Sequence, residues 1–155
     1  MNDTQKQILA DALRAETEPA VVTAVGNRDD VGLANWCNAP TTTDAWNPAM
    51  TDQQLFEAIN VTKWDALSEG KRSTWGLLFT FSPINFSRQK MRKAVQDVWG
   101  DVDSVAVLQN CTRKATQAEV YEGGIVVTQN TVSATKLNWS GTLSTDDISD
   151  VLNNF

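Results

Sequence analysis

Apolar residues recur at helical spacing through most of the first 122 positions. Ile8, Leu9, Ala12 and Leu13 form one face over residues 3–15. Thr17 stands as a cap and Pro19 as the first turn of a second helix through Ala20, Val21, Val22 and Val25, stopped by Gly26-Asn27. Asp29-Asp30 open a third helix along Leu33, Ala34, Trp36 and Cys37, which Asn38-Ala39-Pro40 ends, because the residue before a proline resists the α region. Residues 41–48, rich in Thr, Asp, Asn and Pro, read as a loop around Trp46. Thr51-Asp52-Gln53-Gln54 is a capping box ahead of Leu55, Phe56 and Ile59. Leu67, Trp75, Leu78 and Phe79 mark the next helical face. Ser87 is the expected cap of a helix striped by Met91, Ala94, Val95, Val98 and Trp99, which Gly100 stops. Asp101 or Asp103 then opens a long helix along Val105, Ala106, Leu108, Cys111 and Ala115, running on to Tyr121–Gly124.

After Gly123-Gly124 the pattern changes. Ile125-Val126-Val127-Thr128 and residues 131–139 are rich in β-branched side chains, with Gln129-Asn130 as the turn between them. Ser144 and Asp147 then start a last helix through Ile148, Val151 and Leu152. The predicted fold is mainly α: a helical bundle over residues 1–122, followed at 123–155 by a C-terminal β-hairpin or extended arm and a short final helix. A lone hairpin is marginal in water, so this one must lie on the helices or on another chain.

The length of 155 residues suits a single domain. No apolar run approaches the roughly 18 residues of a membrane span, and the N-terminus lacks the basic-then-apolar pattern of a signal peptide. Composition narrows the chemistry further. The chain has no histidine, which removes Ser–His–Asp and Cys–His nucleophile systems in their usual form. Its two cysteines, Cys37 and Cys111, cannot build a four-cysteine zinc site and read as buried thiols. Glu69-Gly70-Lys71-Arg72-Ser73-Thr74 lacks the upstream glycine of a phosphate loop and reads as a helix start. The acid pairs Asp29-Asp30, Asp101/Asp103 and Asp146-Asp147 each fall at a predicted helix N-terminus, where negative charge is favourable. No catalytic residue, metal ligand or cofactor is therefore expected, and the chain does not read as an enzyme.

Charge is where the sequence is uneven. The net charge is −6, but residues 63–93 hold seven cations against two acids, which leaves −11 on the rest. Surfaces of opposite sign favour docking to copies of the chain or to a partner. The candidate interface residues are the cations Arg88, Lys90, Arg92 and Lys93, the loop tryptophan Trp46, and Ile125, Val127 and Trp139 of the hairpin or arm. Trp46, in a polar loop, reads equally as a local lid on the core or as a contact to another chain, since tryptophan is enriched at interface hot spots; Trp139 is similar.

Three stretches carry a family resemblance: residues 9–22 (LADALRAETEPAVV) continuing to Gly32-Leu33-Ala34-Asn35-Trp36-Cys37-Asn38-Ala39-Pro40; Leu67-Ser68-Glu69-Gly70-Lys71-Arg72 with Trp75; and Arg113-Lys114-Ala115-Thr116-Gln117-Ala118-Glu119 ahead of the glycine turn, the β stretch and Gly141-Thr142-Leu143-Ser144. In these the chain resembles small structural proteins of tailed bacteriophages and prophages, in particular head-to-tail adaptors. The resemblance implies a ring of copies below the portal protein, a tail or nozzle protein beneath it, non-specific contact with packaged DNA, no membrane, and residence in the virion neck after assembly in the host cytoplasm. It leaves open another virion part (tail, baseplate or capsid cement) or a small DNA-binding regulator. Around Trp46 the chain is more polar, at Asp44-Ala45-Trp46-Asn47-Pro48, than the aromatic and basic pattern of that group.

Overall fold

The computed structural model describes all residues, Met1–Phe155. In chain order the elements are α1 (Asp3–Ala15), α2 (Pro19–Asn27), α3 (Asp30–Asn38), β1 (Pro40–Trp46), α4 (Asp52–Glu57), α5 (Val61–Asp65), α6 (Glu69–Phe79), α7 (Gln89–Asn110), β2 (Thr112–Thr116), α8 (Gln117–Glu122), β3 (Gly124–Gln129), β4 (Val132–Leu137) and α9 (Thr145–Asn154). The fold is mainly helical with one sheet.

Local chemistry accounts for the helix boundaries. The predicted capping box opens α4, where Gln54 N–H donates to Thr51 Oγ1 at 3.2 Å, and the predicted cap Ser144 opens α9, where it forms a capping box with Asp147, whose N–H donates to Ser144 Oγ at 3.2 Å. Two further boxes, Asn2 with Gln5 and Thr116 with Glu119, open α1 and α8. Asp29 caps α3 as expected. The left-handed residue that ends α2 is Arg28 at φ 54°, not Gly26 or Asn27. Gly100, at φ 76°, breaks α7 where the sequence predicts a stop.

The chain forms two compact units. The first comprises Met1–Thr43, Lys114–Ile125 and Leu137–Phe155; the second comprises Asp44–Arg113 and Val126–Lys136. The division expected at residues 122/123 is thus replaced by an interleaved one. In the first unit α3 packs on α9 and α1 on α8, α2 and α9, around Leu9, Leu13, Leu33, Cys37, Ile148 and Val151. In the second, α6 packs on α7 around Leu55, Trp75, Ile84, Phe86, Val95 and Leu108. Trp75 and Trp99 meet edge to face there, centroids 5.3 Å apart, a favoured arrangement of ring quadrupoles.

The four strands form one mixed sheet in the order β2-β1-β4-β3. β1 and β4 are parallel, with Ala45 opposite Thr135. β1 and β2 run in opposite senses: Gln117 N–H donates to Ala39 O at 3.1 Å at one end, and Asn47 N–H to Cys111 O at 3.0 Å at the other. β3 and β4 form a hairpin, with Thr128 Oγ1 2.7 Å from Ser133 Oγ and Asn130 at φ 55° in the turn.

This corrects three expectations. The C-terminal stretch is not an independent hairpin or arm appended to a helical bundle, because β4 is an interior strand bonded along β1. Residues 41–48 are not simply a loop: Thr41, Thr42 and Thr43 supply the β-branched character of β1. The helix expected to run past Cys111 ends at Asn110, since residues 112–116 gain more from pairing with β1 than from another helical turn.

Both cysteines are free and buried, one in each unit. Burial raises both thiol pKa values, that of Cys37 to about 12. The folded protein is therefore expected to show no reactive thiol toward a disulfide reagent at pH 8, and both on denaturation; a thiol that reacts at once in the native state contradicts these two cores.

Candidate partner interface

The eight predicted interface residues divide into a buried and an exposed set. Trp46 is only 1% exposed, and its indole Nε1–H donates to Val127 O at 3.0 Å. Arg92, 2% exposed, lies over the Trp46 ring at 4.9 Å from the centroid. Both are buried in the second unit and offer no surface to a partner, which fits the core reading of Trp46 over the interface one and corrects the surface placement of Arg92. The reason is register: Trp46 ends β1 on the inward side after Ala45, and Arg92 shares the inward face of α7 with Val95 and Trp99. Val127 is half-buried against the same core, whereas Trp139 is half-buried against the core of the first unit, its ring close over Gly141.

The remaining residues are open to solvent. Arg88, Lys90 and Lys93 are exposed at the start of α7. Lys93 forms an exposed pair with Asp97 at 2.8 Å, worth a few tenths of a kcal/mol at most. Ile125 is 62% exposed, and its neighbour Val126, absent from the predicted set, is 73% exposed. Val126 escapes a sequence reading because alternation along a strand does not reveal that the strand sits at the sheet edge. Further exposed apolar side chains of the second unit are Phe56, Val61, Leu77, Phe81 and, beside the Gly100 break, Val102 at 86%. A cavity of about 370 Å³ opens among Ala58, Ile59, Lys63, Trp99, Val102 and Asp103, with Lys63 Nζ 3.4 Å from Asp103 Oδ1 at its edge.

The start of α7 is built unlike the other helix starts. Its N-cap is Arg88, not Ser87, and no side chain caps it. Ser87 is drawn away, its N–H and Oγ–H both bonded to Asn85 Oδ1 at 2.9 and 2.5 Å. Instead, Arg92 reaches back and donates from Nη1 to the carbonyls of Phe86 and Ser87 at 2.7 and 2.8 Å. Its Nε has no acceptor, and no carboxylate pairs with it. Burial alone lowers the guanidinium pKa, although an arginine remains charged across the physiological range. Cations at a helix N-terminus oppose the macrodipole by about 0.3–1 kcal/mol each at low salt, so this placement is electrostatically unfavourable in the isolated chain.

Two buried carboxylates also went unnoticed in the sequence. Glu119 accepts from the amides of Thr116 at 2.9 Å and Gly141 at 3.2 Å, which makes it a staple between α8 and the loop before α9. Glu122, 5% exposed, leaves Oε1 without a partner, and burial raises its pKa.

Arg92 and its exposed neighbours should respond differently to truncation. Arg92→Ala strands two carbonyls and removes the cation from Trp46, an expected loss of about 3 kcal/mol in urea denaturation. Arg88→Ala and Lys90→Ala are expected to stay within about 0.5 kcal/mol of the parent. Equal effects at the three positions contradict the structure of this turn.

No protein-family model, no curated protein and no solved structure matches this chain.

Proposed function

We propose that the chain is a structural protein of a tailed-phage virion: a head-to-tail adaptor that joins copies of itself into a ring between the portal protein and a tail or nozzle protein and continues the DNA channel. The observation that carries the reading is the division of charge between the two units. The first holds four cations and eleven acids, a net of −7; the second holds nine cations and eight acids, a net of +1, with four of its cations in residues 88–93. A ring closes through a heterologous interface, in which one patch of a subunit meets a different patch of the next. Unlike charge on the two patches orients that encounter and disfavours like-with-like pairing. The family resemblance of residues 9–40, 67–75 and 113–144 supports the same reading.

The uncapped edge of β3, with Ile125 and Val126 exposed and no charged residue along Gly124–Gln129, suits strand addition by a neighbouring chain. The opposite edge strand, β2, carries Arg113 and Lys114, which disfavour such pairing. Cement proteins of capsids are commonly rich in strand, and the helical content weighs against that placement. The net charge of −6 weighs against a free DNA-binding regulator.

Quantitative mass spectrometry of purified virions tests the proposal. The expected result is about one copy per portal subunit, as stacked rings of matched order require. A many-fold excess assigns the chain to the shell or the tail tube. Absence from the virion overturns the structural reading.

A further inference from the structure

Helix α2 carries no charged residue from Pro19 to Asn27, and five of its nine residues are Ala or Val. A helix apolar on every side belongs in an interior. Yet only Val21 of α2 is buried, and Val22 is 51% exposed. Pro19, Val22, Thr23 and Gly26 are all exposed, at the spacing of one helix face. Thr23 adds little polarity there, because its Oγ1–H donates to Pro19 O at 2.8 Å within the helix. Gly26 has no positive φ, and a Cβ there would meet nothing within 4 Å, so the chain itself gives no reason for a residue that weakens a helix. Close approach of another chain supplies one.

Helix α6 has an open face of the same kind. Leu77 and Phe81, four residues apart at its end and in the turn after it, are 58% and 57% exposed. Ser73 and Gly76 are exposed as well, and Gly76, like Gly26, has no positive φ and nothing within 4 Å of where its Cβ would stand. The two faces differ in charge at their N-terminal ends. Glu18, the N-cap of α2, is exposed and forms no ion pair. Lys71 and Arg72 of α6 are also exposed and unpaired, and with Glu69 before them residues 69–72 carry two cations against one acid.

We propose that α2 of one copy docks on α6 of a second copy with the two helices parallel, Val22 and Gly26 against Gly76, Leu77 and Phe81, and Glu18 beside Lys71 and Arg72. The parallel sense follows from charge: the antiparallel one leaves Glu18 at the uncharged Phe81 end and turns Arg28 toward Lys71 and Arg72. A second copy is the fitting occupant because it brings a face that matches α2 in length, apolar character and sign of charge. Pairing α2 with α2 would instead set two units of net charge −7 together. The contact is heterologous, so each added copy leaves one α2 and one α6 free and association runs past the dimer. It deepens the ring reading and rests on it only for closure into a ring; the pairwise contact stands on the two faces. A contact of about two and a half helical turns is small, so a dissociation constant on the order of 100 μM is expected.

Sedimentation velocity of the full chain over a concentration series tests the contact. The expected result is a sedimentation coefficient that rises with concentration beyond that of a dimer, and rises less at high salt, which screens Glu18 from Lys71 and Arg72. Val22→Glu and Leu77→Glu each change an exposed side chain, so both variants should keep the parent's near-ultraviolet circular dichroism. Each alone is expected to associate at least about tenfold more weakly. Mixed in equal amounts, the two variants should pair through the one intact α6 and the one intact α2, and stop at a dimer. A parent that stays monomeric up to about 1 mM overturns the proposal. So does association that neither substitution weakens. Loss with Val22→Glu alone makes the contact α2 on α2, loss with Leu77→Glu alone makes it α6 on α6, and either result overturns the proposal. Folded variants that fail to pair in the mixture overturn it too. Virion stoichiometry fails or succeeds separately: a chain present in virions whose association ignores both substitutions sinks this inference alone, and a chain that associates as described but is absent from virions sinks the neck-ring reading alone.

Discussion

Strand β1 reaches its hydrogen-bonding partners only after the chain has made long excursions. Four helices separate Trp46 from β2, and β4, its parallel neighbour on the other side, comes later still. A parallel pair always requires such a crossover, and closing it costs chain entropy that the pairing and the packing on either side must outweigh. Here the packing is concentrated at the end of the strand. The Trp46 indole is held by Val127 O through its N–H and by the Arg92 guanidinium on its face. Both β3 and α7 are thereby tied to the last residue of β1, and the core of the second unit closes around that point.

The same contact explains why the basic segment splits into two populations. A charge run on an amphipathic helix is expected to lie wholly on the wet face. Arg92 departs from that expectation because its guanidinium donates to the carbonyls of Phe86 and Ser87 in the turn ahead of α7, while the helix start itself stays uncapped. Arg88 and Lys90 remain exposed around free amides. A structural need, satisfying the carbonyls of Phe86 and Ser87, thus leaves concentrated positive charge at a helix start. That concentration contrasts with the net charge of −7 on the first unit.

Much of the helical framework was legible in the sequence. Thr51-Asp52-Gln53-Gln54 and Ser144 with Asp147 carry local capping chemistry that needs no tertiary context, and Gly100 sits where only a glycine turns easily. The strands β1 and β2 were not legible, because Thr41–Trp46 and Thr112–Thr116 are extended on account of partners distant in sequence. The interleaved units were hidden for the same reason: residues 114–125 and 137–155 join the N-terminal helices through contacts that no local pattern encodes. Of the site, the exposed cations and Ile125 could be read directly. For Trp46 the sequence left a core lid and a chain contact equally open, because its polar neighbours suggested a loop; the strand ends with both Ala45 and Trp46 buried. Removing residues 123–155 would therefore take two strands from the sheet and α9 from a core, so that segment is no dispensable arm.

Amide hydrogen exchange across residues 124–137 tests the central claim, that the C-terminal β segment is built into the sheet through β1. β4 is bonded on both sides, so the account predicts slow exchange along Val132–Leu137, with the outward-facing amides of Val126 and Thr128 on the edge strand exchanging much faster. Fast exchange throughout both strands would mean that β4 does not pair with β1, and would contradict the account.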